Sequence, residues 1–141
     1  MSLIKSIGEK KVNLDFNKDF ISIFSDKIKS ADIQFINQTL KDLHPSDVAN
    51  LIENLSYDTR AKLIEIEEFD IDPEIFIEIN ESIQSEVLQL LSDDSIANIS
   101  KRLESDNSIA ILENLDSKKK TAVLDKLPPK DRFLLEEGLS Y

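Results

Sequence analysis

Apolar residues recur along the chain at a spacing of twelve. From Leu43 the steps reach Leu55, Glu67, Ile79, Leu91, Leu103, Leu115, Leu127 and Leu139, so eight of nine positions are apolar. The column eight residues further on holds Leu51, Leu63, Ile75, Val87, Ile99, Ile111, Val123 and Leu135, without a polar exception. A single straight helix cannot use this pattern. At about 100° per residue, twelve residues rotate the apolar stripe by about 120°, so the stripe would wind around the rod. The chain must therefore break once per unit. Pro45, Ser56, Pro73, Ser92, Asp116 and Pro128-Pro129 supply breaks of the kind that suit N-cap or N1 positions. Each unit predicts a helix of about eight residues and a turn, too short to be stable by itself. Stacked, such units make an all-α solenoid of either hand.

Upstream of the repeats, residues 17–29 and 31–43 predict two further helices, the second carrying Ile33, Phe35, Ile36 and Leu40 at helical spacing. Residues 1–16 have no sustained period and are expected to form a loosely held leader, with Leu14 and Phe16 packing back on the domain. The domain proper is expected over 17–141.

Composition agrees with helix and narrows the chemistry. Only two glycines and four prolines interrupt 141 residues rich in Leu, Ile, Glu and Lys. With no cysteine, disulfides and thiolate metal sites are excluded, and with His44 as the single histidine so are most His-based metal sites and Ser-His or Cys-His catalytic arrangements. The absence of cysteine fits a reducing compartment. No apolar run approaches the roughly 20 residues of a membrane span, and no secretory signal opens the chain, so this polypeptide is expected to be soluble. The glycines, at 8 and 138, form no phosphate loop, and no carboxylate pair stands out as an acid and base. Binding, not catalysis, is the expected activity.

The formal charge of −11 is unevenly distributed. Residues 1–52 are neutral, with seven bases and seven acids, whereas Glu53 to Glu81 contains ten acids against Arg60 and Lys62. Such a field repels nucleic acid and attracts cations or a basic protein face.

The repeat units also carry a family resemblance. LHPSDVANLIENL at 43–55 resembles the LHPADIADLLEEL-like opening of the N-terminal cytosolic domain of MgtE-type magnesium channels. As in that family, a helix pair precedes it (FISIFSDKIKSADIQFINQTLKDL), repeats of matching spacing follow, and LPPKDRFLLEEGLSY at 127–141 is similar to the domain's end. The resemblance spans about residues 17–141. It implies a right-handed superhelix of short helices, working in a homodimeric protein whose paired CBS domains and membrane pore lie outside this sequence. It also implies a function: sensing cytosolic Mg2+ at acidic surfaces shared with the CBS domains, and helping to gate the pore. The membrane would be reached only through that pore domain. Related helical folds occur in the flagellar switch protein FliG, so a protein-binding scaffold is the alternative expectation.

Counting repeats from the His44-Pro45 motif, the family's acids that face the CBS domains fall at Glu74, after Pro73, and at Asp106, in LESDNSIA. The resemblance thus makes Glu74 and Asp106 the expected Mg2+ ligands, the ion being held weakly and with CBS participation. A further family acid one turn after Asp106 is replaced by Ala110. As plain residues, both acids also suit the first turn of a helix, where the macrodipole favours negative charge. Asp93 and Asp94 are expected in a first turn, His44 at a cap, and Lys118-Lys119-Lys120 at a solvated helix start.

Overall fold

The computed structural model describes residues 18–67 and 71–139. The expected leader at 1–16, with Leu14 and Phe16, lies outside the described residues, as do Ser140 and Tyr141 of the family-like ending. The described residues are all-helical, with ten helices and no strand. In order they are α1 (Lys18–Lys29), α2 (Ile33–Asp42), α3 (Pro45–Glu53), α4 (Tyr57–Glu67) and α5 (Glu74–Glu78). After these come α6 (Glu81–Leu90), α7 (Asp93–Arg102), α8 (Ser105–Glu113), α9 (Ser117–Asp125) and α10 (Pro129–Leu139).

Local chemistry explains where these helices begin. Pro45 and Pro129 open α3 and α10, where the missing proline N–H costs nothing because a first-turn N–H has no intrahelical acceptor. Elsewhere side chains accept orphan N–H groups. Ser56 accepts from Thr59 at 3.3 Å, Asn80 from Ile83 at 3.0 Å, Ser92 from Ser95 at 3.1 Å and Asp116 from Lys119 at 2.8 Å. His44 occupies the N-cap of α3 without a side-chain cap bond. α5 departs from the expected length: it begins at Glu74 and has only five residues. Pro73 explains this, because its ring disfavours helical backbone at Asp72 and it offers no N–H, so the helix forms only beyond it.

Helices two apart in sequence pack together: α3 on α5, α4 on α6, α7 on α9 and α8 on α10, while α1 packs on both α2 and α4. The apolar columns lie along these contacts. All eight residues of the Leu51 to Leu135 column are buried, and so are Leu55, Ile79, Leu91, Leu103, Leu115 and Leu127 of the other column. Phe20, Phe24 and Ile28 of α1, spaced by four, enter the same core, with the Phe20 and Phe24 rings 6.2 Å apart and Phe35 of α2 beside them. Of the four apolar residues expected to face inward from α2, Ile36 is buried and Phe35 and Leu40 are half-buried, but Ile33 is 45% exposed. Ile33 is the first residue of its helix, directly after the Asp32 cap, and precedes the turn that meets the core. Near the other end, Gly138 lets α10 approach α8 closely, since a Cβ there would stand 2.1 Å from Ile109 Cδ1.

Candidate functional site

The described residues of the acid-rich span lie at the end of α3, in α4 and α5 and at the start of α6, and folding sorts their charges by role. Asp58, Glu65, Asp72, Glu74, Glu78 and Glu81 are exposed. Glu53, at the end of α3, instead accepts the backbone N–H of Asn80 at 2.7 Å, tying α3 to the start of α6. Glu67 is 2% exposed, inside the protein. Arg60, counted in the sequence as a partial counterweight to these acids, does not face them. It is 6% exposed and forms a two-pronged pair with Glu86 of α6 at 2.6 and 2.9 Å. Its remaining nitrogen donates to the carbonyls of Ile52 and Leu55 at 3.1 and 2.7 Å, at the negative end of α3. Arg60 and Glu67 are thus both withdrawn from the surface, and the acidic excess of the span is left as it was.

Glu74 opens α5, its backbone N–H donating to the Asp72 carboxylate at 3.0 Å, and Asp106 lies in the first turn of α8. Both side chains are exposed. Ala110, one turn beyond Asp106, is exposed as well. Among the described residues no three His, Cys, Asp or Glu side chains converge as a cage for a metal ion would require. Asp93 and Asp94 do lie in the first turn of α7, where each is engaged by a lysine of α9 or its cap: Lys119 at 3.2 Å from Asp93, and Lys126 at 3.6 Å from Asp94.

Lys118 is exposed at the helix start as expected, but Lys119 is not simply solvated. Lys119 reaches across to the preceding layer, donating also to the Leu91 carbonyl at 2.9 Å. It joins the acidic start of α7 to the carbonyl end of α6, a position that favours a cation on both counts. Spacing along the sequence held no trace of this contact, because the partners are 26 and 28 residues away.

The least expected feature surrounds Glu67. This glutamate holds a position where the column is otherwise apolar, and burying an ionised carboxylate costs several kcal/mol unless polar groups receive it. Asn37 of α2 lies against it, and with the amide oriented so that its nitrogen faces the carboxylate, Asn37 donates to Glu67 Oε2 at 3.1 Å and to Oε1. Both residues line a cavity of about 440 Å³ with Leu40, Lys41, Leu43, Pro45, Val48, Ile71, Asp72 and Ile75. The sequence signal was the single break in a column of leucines and isoleucines.

No helix among the described residues is long and apolar enough to cross a membrane. No curated protein matches the chain. A family model described as the MgtE intracellular N domain matches residues 43–141, from the Leu43-His44-Pro45 motif through every repeat unit. On that match, covering well over half of the sequence, the chain belongs to the MgtE intracellular N domain family.

Proposed function

We propose that the chain is the cytosolic regulatory domain of an MgtE-type magnesium channel, reading intracellular Mg2+ at an acidic face and helping to gate the pore. Membership of the family over residues 43–141 is the observation that carries this reading. It favours the channel over a flagellar-switch type of scaffold, and a transporter domain is in keeping with binding as the activity. The regular helix starts at 45, 57, 81, 93, 105, 117 and 129, with packing between next-but-one helices, are in keeping with a superhelical scaffold for that face, whose right hand is what the family implies.

Glu74 and Asp106 fit the chemistry of a weak magnesium site. Mg2+ keeps most of its waters and takes one or two carboxylates. Single exposed acids, held at helix starts and without a third acidic neighbour among the described residues, suit an ion completed by oxygens from the CBS domains. Two acidic surfaces repel when bare and are bridged when cations accumulate. The ion then stabilises the closed arrangement by its differential affinity alone. In this reading the full-length protein is a homodimer, and the domain lies on the cytoplasmic side of the membrane, to which only the pore domain connects it.

Patch-clamp recording of the full-length channel over a series of cytosolic Mg2+ concentrations tests the assignment. With Glu74→Ala and Asp106→Ala combined, inhibition should require more Mg2+, by roughly 5- to 150-fold if the pair supplies about 1–3 kcal/mol of coupling. An unchanged midpoint would remove both residues from the sensor. A lower midpoint would mean that relief of charge repulsion outweighs the lost ligands.

A further inference from the structure

α10 carries large apolar residues on two opposite faces. Leu135 is buried and Leu139 half-buried in the core, on the side where α10 packs against α8. Phe133 and Leu134, by contrast, are 62% and 50% exposed. At about 100° per residue, positions 130, 133, 134 and 137 share one stripe of a helix, and positions 135 and 139 lie on its far side. The exposed pair is therefore not the edge of the core-facing stripe. Preceding repeat units hold small or polar residues at the two positions, as in Ala97-Asn98 and Thr121-Ala122, and none has a large apolar residue at both. Packing between repeats does not require this pair, and adjacent exposed apolar side chains of this size mark a surface for contact.

Charges of opposite sign flank the pair. Lys130 stands one turn before Phe133 and Glu137 one turn after, both exposed and both without an ion-pair partner among the described residues, whereas Arg132 is already engaged by Asp125 and Glu136. The order basic, apolar, apolar, acidic complements itself when reversed. Two copies of α10 laid antiparallel about a twofold axis between positions 133 and 134 set Lys130 of each against Glu137 of the other, and Phe133 of each against Leu134 of the other. Self-complementarity of this kind is what a twofold contact demands. An anionic membrane or nucleic acid would meet Glu137 and the net negative charge of the chain.

We propose that the exposed face of α10 is a contact between two copies of this chain, paired antiparallel through Lys130, Phe133, Leu134 and Glu137. A stripe of four residues falls below the class of interfaces that bury about 1,200–2,000 Å², so the dimer is weak and reversible. Phe133 and Leu134 supply the affinity, and the two charge pairs set orientation and register. The contact stands apart from magnesium sensing, and a monomeric chain would leave the channel reading untouched.

Sedimentation velocity of the whole chain tests this over about 0.02–1 mM, a range suited to weak interfaces. The wild-type sedimentation coefficient should rise with concentration, and Phe133→Asp should stay monomeric throughout. Lys130→Glu and Glu137→Lys each place like charges at both ends of the twofold contact, and each should weaken self-association roughly tenfold. Mixed in equal amounts, the two variants restore both charge pairs and should associate as the wild type does. Glu137→Lys lowers the net negative charge, so relief of overall repulsion would shift it the opposite way. Both substitutions suit the helix macrodipole and lie on the surface, so the fold is kept. A monomer at every concentration would overturn the proposal, as would association that survives Phe133→Asp. A mixture that associates no better than either charge variant alone would also overturn it, and that comparison decides the matter if Phe133→Asp does not fold.

Discussion

Between α1 and α2 the chain reverses in three residues, and Ala31 takes the strain with φ at 55°. A side chain with a Cβ is disfavoured in this left-handed region by roughly 1–2 kcal/mol, a cost that glycine escapes while adding entropy to the unfolded chain. Ala31→Gly should therefore stabilise the protein by up to about 1 kcal/mol, read as a higher midpoint in urea denaturation with an unchanged slope. The adjacent Asp32 accepts from the Phe35 N–H at 3.2 Å and pairs with Lys27 at 3.2 Å, and these two contacts hold its carboxyl below the ordinary value of 3.8. A carboxyl with a depressed folded pKa stabilises fully above its unfolded pKa, and the contribution disappears as pH falls through the folded value. The stability difference between wild type and Asp32→Asn should accordingly be constant at neutral pH and shrink below about pH 4. Thermal melts of both proteins from pH 7 to pH 2.5 measure this, and a difference that grows on acidification would contradict the capping role.

At the scale of helices, the Arg60 contacts form a buried polar join among three elements. One guanidinium links α4, where it originates, to the carbonyl end of α3 and to Glu86 of α6. Buried pairs add little compared with apolar packing, but removing one partner is expensive because the other charge and the carbonyls lose their donor. The Glu86 side chain retains 23% exposure, so water can partly compensate there. Arg60→Ala should destabilise by about 2–4 kcal/mol, and Arg60→Lys by less, since lysine keeps the charge without the planar fork. Equilibrium denaturation of both variants gives the comparison, and equal losses would show that the fork geometry is unimportant. A weaker link between helices is the exposed pair of Arg132 with Asp125 of α9 at 2.7 Å, whereas Arg132 with Glu136 at 2.5 Å braces α10 internally.

For the molecule as a whole, a net charge of −11 with the acids gathered over α4 to α6 means that folding concentrates like charge. Raising ionic strength from 0.01 to 0.15 M shortens the screening length from about 30 to about 8 Å, which reduces that repulsion. The melting temperature in sodium chloride should rise across this range by roughly 2–5 °C, the size expected for about 1 kcal/mol of relief in a chain of this length. A fall would mean that the screened ion pairs matter more than the screened repulsion. The same repulsion is the energy that bridging Mg2+ would offset against a second acidic surface in the proposed gating device.

The helical class, the helix starts and the buried columns were legible in the sequence because they rest on local rules: an apolar period, and prolines or capping side chains where each unit begins. The Leu51 to Leu135 column, read without any structure, is buried at every position. Glu74 and Asp106 were legible as first-turn acids, and both stand exposed at helix starts. Tertiary structure alone decided the partners of long side chains. Arg60, Lys119 and Glu53 meet groups 26 to 28 residues away, and a flexible side chain leaves no periodic mark of its target. Glu67 belongs to both levels. Its misfit in an apolar column was visible in the sequence, but only the fold placed Asn37 against it and opened a cavity at its side, because burial and cavity depend on how α2, α3 and α4 come together around Pro73 and the shortened α5.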